Sequence, residues 1–320
     1  AKGRDITHPS FCLLKTGMRR AFMEKIRRNK KVIAAFLIPA ILIYLCFELV
    51  PVVMSIYFSF NDWPGIQAVA LKFVGLKNYR NIFHNAVFLK SLQNVLIYVV
   101  ISVVIQVPLG FGLGLLIHHF KRGQRFFKAA FFIPMILSVT AVALLWNFIY
   151  FPTEKGILNS LLIKIGLSNC MQQWLVNPKT SLMCLIIVST WTSVGYYMII
   201  CLAGLTSIPN SVLEAGELDG ATGWKKIWNI YIPMLWEPLK MSTIMVITGV
   251  LKIFDTVYIL TPTGGTNNCT IVPALLMYNE AYRYGHYGTG SAIATVIFVL
   301  SAAVSILSLK LMNKKESIEY

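Results

Sequence analysis

The sequence predicts an all-α membrane protein with six transmembrane helices and both termini in the cytoplasm. Three observations carry this. First, the 320 residues are 56% hydrophobic and 13% charged, with a mean hydropathy of +0.66. A soluble domain carries about 25% charged residues, and half that share cannot cover a water-facing exterior. Second, the apolar residues gather into six runs of roughly 20, the length that crosses about 30 Å of hydrocarbon. Third, lysine and arginine concentrate in alternate loops, as expected where short cytoplasmic loops retain positive charge. Soluble enzymes and DNA-binding proteins are therefore excluded. The net charge of +16 is bunched at one end and in short loops rather than spread over a folded face, so no nucleic-acid partner is expected.

The spans run from about Val32 to Phe60, Leu92 to Ile117, Ala129 to Tyr150, Leu182 to Ala203, Met241 to Leu260 and Ser291 to Leu311. Pro39 and Pro51 in the long first span predict tilt or a kinked outer end. Segment 1–31 holds ten Lys and Arg, the turn after span two holds Lys121, Arg122, Arg125 and Lys128, and the fourth loop and the tail hold three each. The three longer opposite loops hold eight, and Lys252 lies inside span five. Met18–Lys31 reads as a basic helix lying on anionic membrane lipid, with a solvated tail as the alternative for residues 1–15. No small-residue cleavage site follows a short apolar core, so span one is expected to act as an uncleaved anchor. Trp63, Tyr79, Tyr98, Trp146 and Tyr150 fall near span boundaries, where amphipathic rings anchor to headgroups. The six cysteines show neither CxxC nor metal-ligand spacing with histidine. They read as packing residues, with a Cys170–Cys269 disulfide left open.

The fourth loop carries more than a linker needs. Residues 211–238 read SVLEAGELDGATGWKKIWNIYIPMLWEP. A helix is expected to open with Asn210 or Ser211 as N-cap and with Glu214 and Glu217 in its first turns, where the dipole favours negative charge. Gly220 offers a sharp break. A second helix, Trp224–Ile232, repeats apolar residues at three- and four-residue spacing. Two short helices at an angle make a projecting knob.

On these residues the sequence resembles the membrane subunits of binding-protein-dependent ABC importers, whose EAA loop reads EAA, three residues, G, about nine residues, then I-x-L-P. Glu214-Ala215-Gly216, Gly220 and Ile230-Tyr231-Ile232-Pro233 occupy those places, with Gly216 standing for the usual Ala and Ile232 for the usual Leu. The likeness is closest to carbohydrate-uptake permeases of the maltose-transporter larger-subunit type. Phe73-Val-Gly-Leu-Lys-Asn-Tyr79, Asn94 at the opening of span two, Phe132-Ile-Pro134 through Trp146, Gly156-Ile-Leu-Asn159, Phe254-Asp255, Leu260-Thr261, Gly264-Gly265 and Tyr284–Gly288 match that pattern in order. The usual Pro after the paired glycines is missing.

The resemblance implies a type I importer permease fold. It divides the chain into a basic segment 1–31, a permease domain 32–311 with a cytoplasmic coupling loop 204–239, and a tail 312–320. It also implies a bacterial plasma-membrane location, a second homologous permease, two ATP-binding subunits, an extracytoplasmic solute-binding protein and a saccharide substrate. No cofactor, metal or catalytic residue is expected in this chain. ATP and Mg would be used by the partner ATPase, since no GxxxxGK[ST], HExxH or nucleophile elbow occurs. Glu214, Ala215, Gly216, Asp219, Gly220, Ile230 and Pro233 are the expected ATPase-coupling residues. Polar and aromatic groups are costly in lipid and so mark a lined path. Combined with the resemblance, this nominates Trp191, Gly195, Tyr196 and Tyr197 in span four and Gly249, Lys252 and Asp255 in span five, with helix packing as the alternative for each. Lys252 and Asp255, three apart, can pair on one helix face. A free Lys252 would instead favour an acidic saccharide or a glycerol-phosphate-type solute. A stand-alone carrier or channel is disfavoured by the coupling loop and by the scarcity of intramembrane acids for a proton relay.

Overall fold

The computed structural model describes residues 30–66, 68–120 and 122–312. The described residues fall into two compact units, divided between Tyr57 and Phe58. Apart from Lys30 and Lys31, the expected basic helix Met18–Lys31 lies outside the described residues, as do Cys12 and residues 313–320 of the tail.

From the first unit, α1 (Lys30–Tyr44) runs through a π-turn (Leu45–Leu49) into α2 (Val50–Ser59), whose last two residues belong to the second unit. The stretch Ile33–Ser59 is long and apolar enough to cross a membrane. The irregularity expected from Pro39 and Pro51 appears as the π-turn, which falls between the two prolines. Cys46, expected to pack, is exposed.

The second unit continues with a two-residue antiparallel pair, β1 (Asn61–Asp62) with β2 (Lys72–Phe73), a small departure from the all-α expectation. Asn78 on α3 (Lys77–His84) braces it: Nδ2 donates to the carbonyls of Ser59 and Asn61, each at 2.9 Å. Helix α4 (Ala86–His119) begins six residues before the expected Leu92 because Asn85 caps it, its Oδ1 accepting from Val87 N–H at 2.8 Å. Asn94, read as the opening residue, is instead buried about two turns inside. There its Nδ2 donates to the carbonyls of Asn268 and Ile271, each at 2.9 Å.

Helix α5 (Gln124–Ile136) and α6 (Val139–Ile149) meet at 98°, so the expected continuous third span is broken. Leu137 and Ser138 are extended, with ψ of 147° and 135°, three and four residues after Pro134 has removed a helical N–H. At 13 residues, α5 is about 20 Å long and cannot cross alone. Next come α7 (Ile157–Lys164), a 3₁₀ turn (Ser168–Cys170) and α8 (Ser181–Ser207), which packs along α4. Gly110 and Gly114 make the approach possible, since a Cβ at Gly110 would stand 2.7 Å from the Tyr197 Cβ.

The chain continues through α9 (Asn210–Leu218), α10 (Trp224–Lys226), a π-turn (Ile227–Tyr231), α11 (Ile232–Met234) and α12 (Trp236–Leu251), with a 73° bend before α12. The expected fifth span is also broken, because α12 ends at Leu251 and α13 (Asp255–Leu260) starts afresh. After a 3₁₀ turn (Thr266–Asn268), α14 (Pro273–Tyr278) runs into a π-turn (Asn279–Arg283), and α15 (Tyr287–Met312) completes the described chain. Among the described residues four helices are long and apolar enough to cross a membrane, and six crossings result if each bent pair counts as one.

The core gathers Phe88, Tyr98, Leu185, Val188, Leu275 and Ile293, all fully buried. Tyr98 and Tyr150, expected at the headgroups, belong to this core. The Tyr98 hydroxyl donates to the Leu185 carbonyl at 2.9 Å and to Ser189 Oγ at 3.0 Å, so an internal partner replaces the headgroup. Cys170 is exposed, Cys269 is buried, and both are free thiols; the disulfide left open above is not formed.

Candidate functional site

The fourth loop folds into a bent lever. Pro209 (φ −62°, ψ 138°) occupies the cap position without a side-chain hydrogen bond, so Asn210 is the first helical residue rather than the cap. Consequently Glu214 lies beyond the first turn, Glu217 lies in the last, and the expected helix-dipole contribution of these acids does not arise. Glu217 has another use: its Oε1 accepts from Lys226 Nζ at 2.6 Å and ties the two arms together. The turn between the arms needs Gly220, whose φ of +78° strains any residue with a Cβ although the space around it is open. The Ala221 N–H returns to the Gly216 carbonyl at 2.8 Å and closes the helix end.

Gly216, the departure from the family's alanine, has a local cause. A Cβ there would stand 2.2 Å from Ile230 Cδ1, so the missing methyl makes room for the isoleucine of the second arm. Ile230 is buried, whereas Glu214, Ala215, Asp219 and Pro233 are exposed. The base of the lever is packed: Leu235 is fully buried beside Cys201, Leu205 and Ile208, with Leu213 and Tyr231 against them. Its tip is not, since Leu218 is 90% and Trp224 75% exposed. The sequence reading passed over Leu218 because one leucine in an amphipathic helix reads as core.

The nominated path residues do not form one site. Gly195 is buried where α8 crosses α5, and a Cβ there would stand 1.9 Å from the Phe131 carbonyl oxygen, so the residue serves close packing. Tyr197 is buried against Gly110, and Tyr196 packs edge-on to it at 5.7 Å. Trp191 meets Trp146 edge-on at 5.8 Å and lines a cavity of ≈ 470 Å³ shared with Leu109, Phe131, Pro134, Ile187 and Thr190.

Lys252 borders a different cavity, of ≈ 400 Å³, with Phe254, Met277, Tyr278 and Ser301. The break after Leu251 puts Lys252 at the end of α12 and Asp255 at the start of α13, not on one helix face. Both are exposed, no ion pair joins them, and the Lys252 ammonium has no partner among the described residues. Gly249, one turn earlier, faces open space. The Ser301 hydroxyl at the same cavity is buried without a hydrogen-bond partner among the described residues. Tyr278 and Ser301 escaped the sequence reading because they join Lys252 only through folding of α14 and α15.

Residues 106–317 match the family described as binding-protein-dependent transport system inner membrane component. The chain belongs to this family. The match covers the lever and both cavities, and with the apolar helices it makes the chain a multi-pass ABC transporter permease of the inner membrane. Among the permease's relatives is the probable ABC transporter permease protein YurN of Bacillus subtilis, 35% identical, over 89% of this chain and 97% of that one. The lactose transport system permease protein LacF of Rhizobium radiobacter is 32% identical, over 85% and 90% respectively. A solved bacterial ABC transporter, involved in import of the acidic polysaccharide alginate, holds a chain that shares the permease's fold. Its TM-score is 0.78 at 21% identity, covering 92% of this chain and 99% of that chain.

Proposed function

We propose that this permease is half of the membrane-spanning channel of an ATP-driven oligosaccharide importer. It performs no covalent chemistry itself. A second homologous permease completes the path, because six crossings enclose too little space for a sugar. Two separate ATP-binding subunits hydrolyse Mg-bound ATP, and an extracytoplasmic solute-binding protein delivers the saccharide. The saccharide class is supported by the lactose named for one relative and the polysaccharide named for the structural neighbour.

The observation that carries the coupling role is the contrast within residues 208–235: a base anchored by the buried Ile208 and Leu235 and a tip that exposes Glu214, Leu218 and Asp219. An apolar side chain flanked by carboxylates on a projecting helix is a docking surface for a partner. On this reading the lever lies in the cytoplasm and inserts into the ATPase, which moves it as it closes on ATP. Leu235 and α12 pass that motion to Gly249 and Lys252, giving the two states that alternating access needs. The Glu217 carboxylate holds the Lys226 ammonium above its ordinary range, so the tie between the arms persists through neutral pH and is lost on the alkaline side as that proton is removed.

In the purified complex, Glu214→Ala and Gly220→Trp are expected to abolish stimulation of ATP hydrolysis by the loaded binding protein while membrane insertion stays intact. Unchanged stimulation in both variants contradicts the docking role. A second reading, import of an acidic saccharide, rests on the unpaired Lys252 ammonium at its cavity. Lys252→Met would then cost uptake of a uronate oligosaccharide and spare a neutral one.

A further inference from the structure

Seven aromatic rings from separate stretches of the second unit form one unbroken run. Phe58 lies 4.7 Å from Trp63, Trp63 5.8 Å from Tyr287, Tyr287 5.5 Å from Tyr282, and Tyr282 5.3 Å from Tyr278, centroid to centroid. Tyr278 then meets Tyr258 at 5.1 Å and Phe254 at 5.2 Å. The run ends at the cavity that Phe254 and Tyr278 share with Lys252 and Ser301.

Core packing accounts only for its inner end, where Phe254 and Tyr258 lie against the core. None of the seven residues is buried, and Tyr282 is 64% exposed. The Tyr282 and Tyr287 hydroxyls have no hydrogen-bond partner among the described residues. Yet the rings are held in place. Gly65, at φ +80°, passes so close to Tyr287 that a Cβ would stand 2.1 Å from the ring. The Gly288 N–H donates to the Trp63 carbonyl at 3.3 Å. A π-turn, a geometry that recurs at functional positions, follows Tyr278 and carries Tyr282, and the Tyr284 N–H closes it onto the Asn279 carbonyl at 3.0 Å. Exposed, fixed aromatic faces bind apolar surface at little entropic cost.

Resting on the oligosaccharide reading above, we infer that Trp63, Tyr287, Tyr282, Tyr278 and Phe254 are a stacking track for a linear oligosaccharide. The track leads from the loop after the first span to a terminal subsite at Lys252 and Ser301. Pyranose rings present flat CH faces to such a surface, and each step of the track is close to the length of one sugar unit. At the inner end, the Lys252 ammonium and Ser301 hydroxyl supply hydrogen bonds that the rings cannot. Successive units add stacking contacts, so the track favours longer chains.

The test uses the complete transporter in vesicles, with ATP inside the compartment that holds the lever and the binding protein outside. The probes are radiolabelled lactose, maltotriose and maltohexaose. Tyr282→Leu removes the most exposed ring, and Tyr282→Phe and Tyr282→Trp retain one. The leucine variant is expected to raise KM for uptake about tenfold for the longest probe carried, less for a shorter one, with kcat near wild type. The Phe and Trp variants are expected to restore KM. Wild-type KM at every length in Tyr282→Leu overturns the track, as does equal impairment of the Leu and Phe variants. Failure of the wild-type complex to carry any of the three probes counts instead against the oligosaccharide reading, and the track falls with it.

Discussion

Three glycines show how much of this permease is decided by single missing methyl groups. Gly216 clears room for Ile230, Gly220 turns the chain at a positive φ, and Gly195 lets α8 touch the Phe131 carbonyl. The consequences differ. Gly195→Ala puts a methyl against backbone, which no rotamer change relieves. It should destabilise the purified chain by about 3 kcal/mol, the upper end of overpacking costs. Denaturant unfolding of the detergent-solubilised complex measures this, and a loss below about 1 kcal/mol would show that α5 yields easily. At Gly216 the obstacle is the flexible end of an isoleucine, so the family's alanine becomes tolerable once Ile230 is shortened. Gly216→Ala with Ile230→Val should therefore couple more stably than Gly216→Ala alone, read as recovered ATPase stimulation.

At the scale of elements, buried polar side chains fix the loops that the spans leave open. Asn94 holds the carbonyls of Asn268 and Ile271, and Asn159 donates to those of Phe151, Thr153 and Gln172 while accepting from Trp174 Nε1 at 2.8 Å. Asn94→Leu leaves two carbonyls unsatisfied at about 1–3 kcal/mol each. Faster proteolysis within residues 261–272, with the lever's ATPase coupling retained, is the expected result. These ties mark the boundary of what the sequence discloses. Apolar runs mark the candidate crossings, because lipid imposes one length and one composition on any span, and loop charge sets the orientation to be expected. Pro134 is the one sign of the break at Leu137–Ser138 and reads in the sequence only as part of a motif, while the break at Lys252–Phe254 has no proline or glycine to announce it. Tyr98 was misplaced because a boundary ring and a core ring look alike until the Leu185 carbonyl is found beside its hydroxyl. In the lever, Gly220 and the two helices were legible from local chemistry, while the Gly216–Ile230 contact and the Lys226–Glu217 tie depend on the turn having formed.

For the whole molecule, two exposed surfaces carry the functional reading: the lever tip, with Leu218 and Trp224, and the aromatic run that ends at Lys252. Under the proposed function the first would meet the ATPase and the second the saccharide. On the proposed function, force is applied to this chain by a separate ATPase. The measurement that tests this most directly is accumulation of radiolabelled oligosaccharide in vesicles holding either this chain alone or the complex with its ATPase, second permease and binding protein. Uptake is expected only from the complete complex, only with hydrolysable ATP, and not from the complex carrying Gly220→Trp. Uptake by the isolated chain without nucleotide would contradict the account.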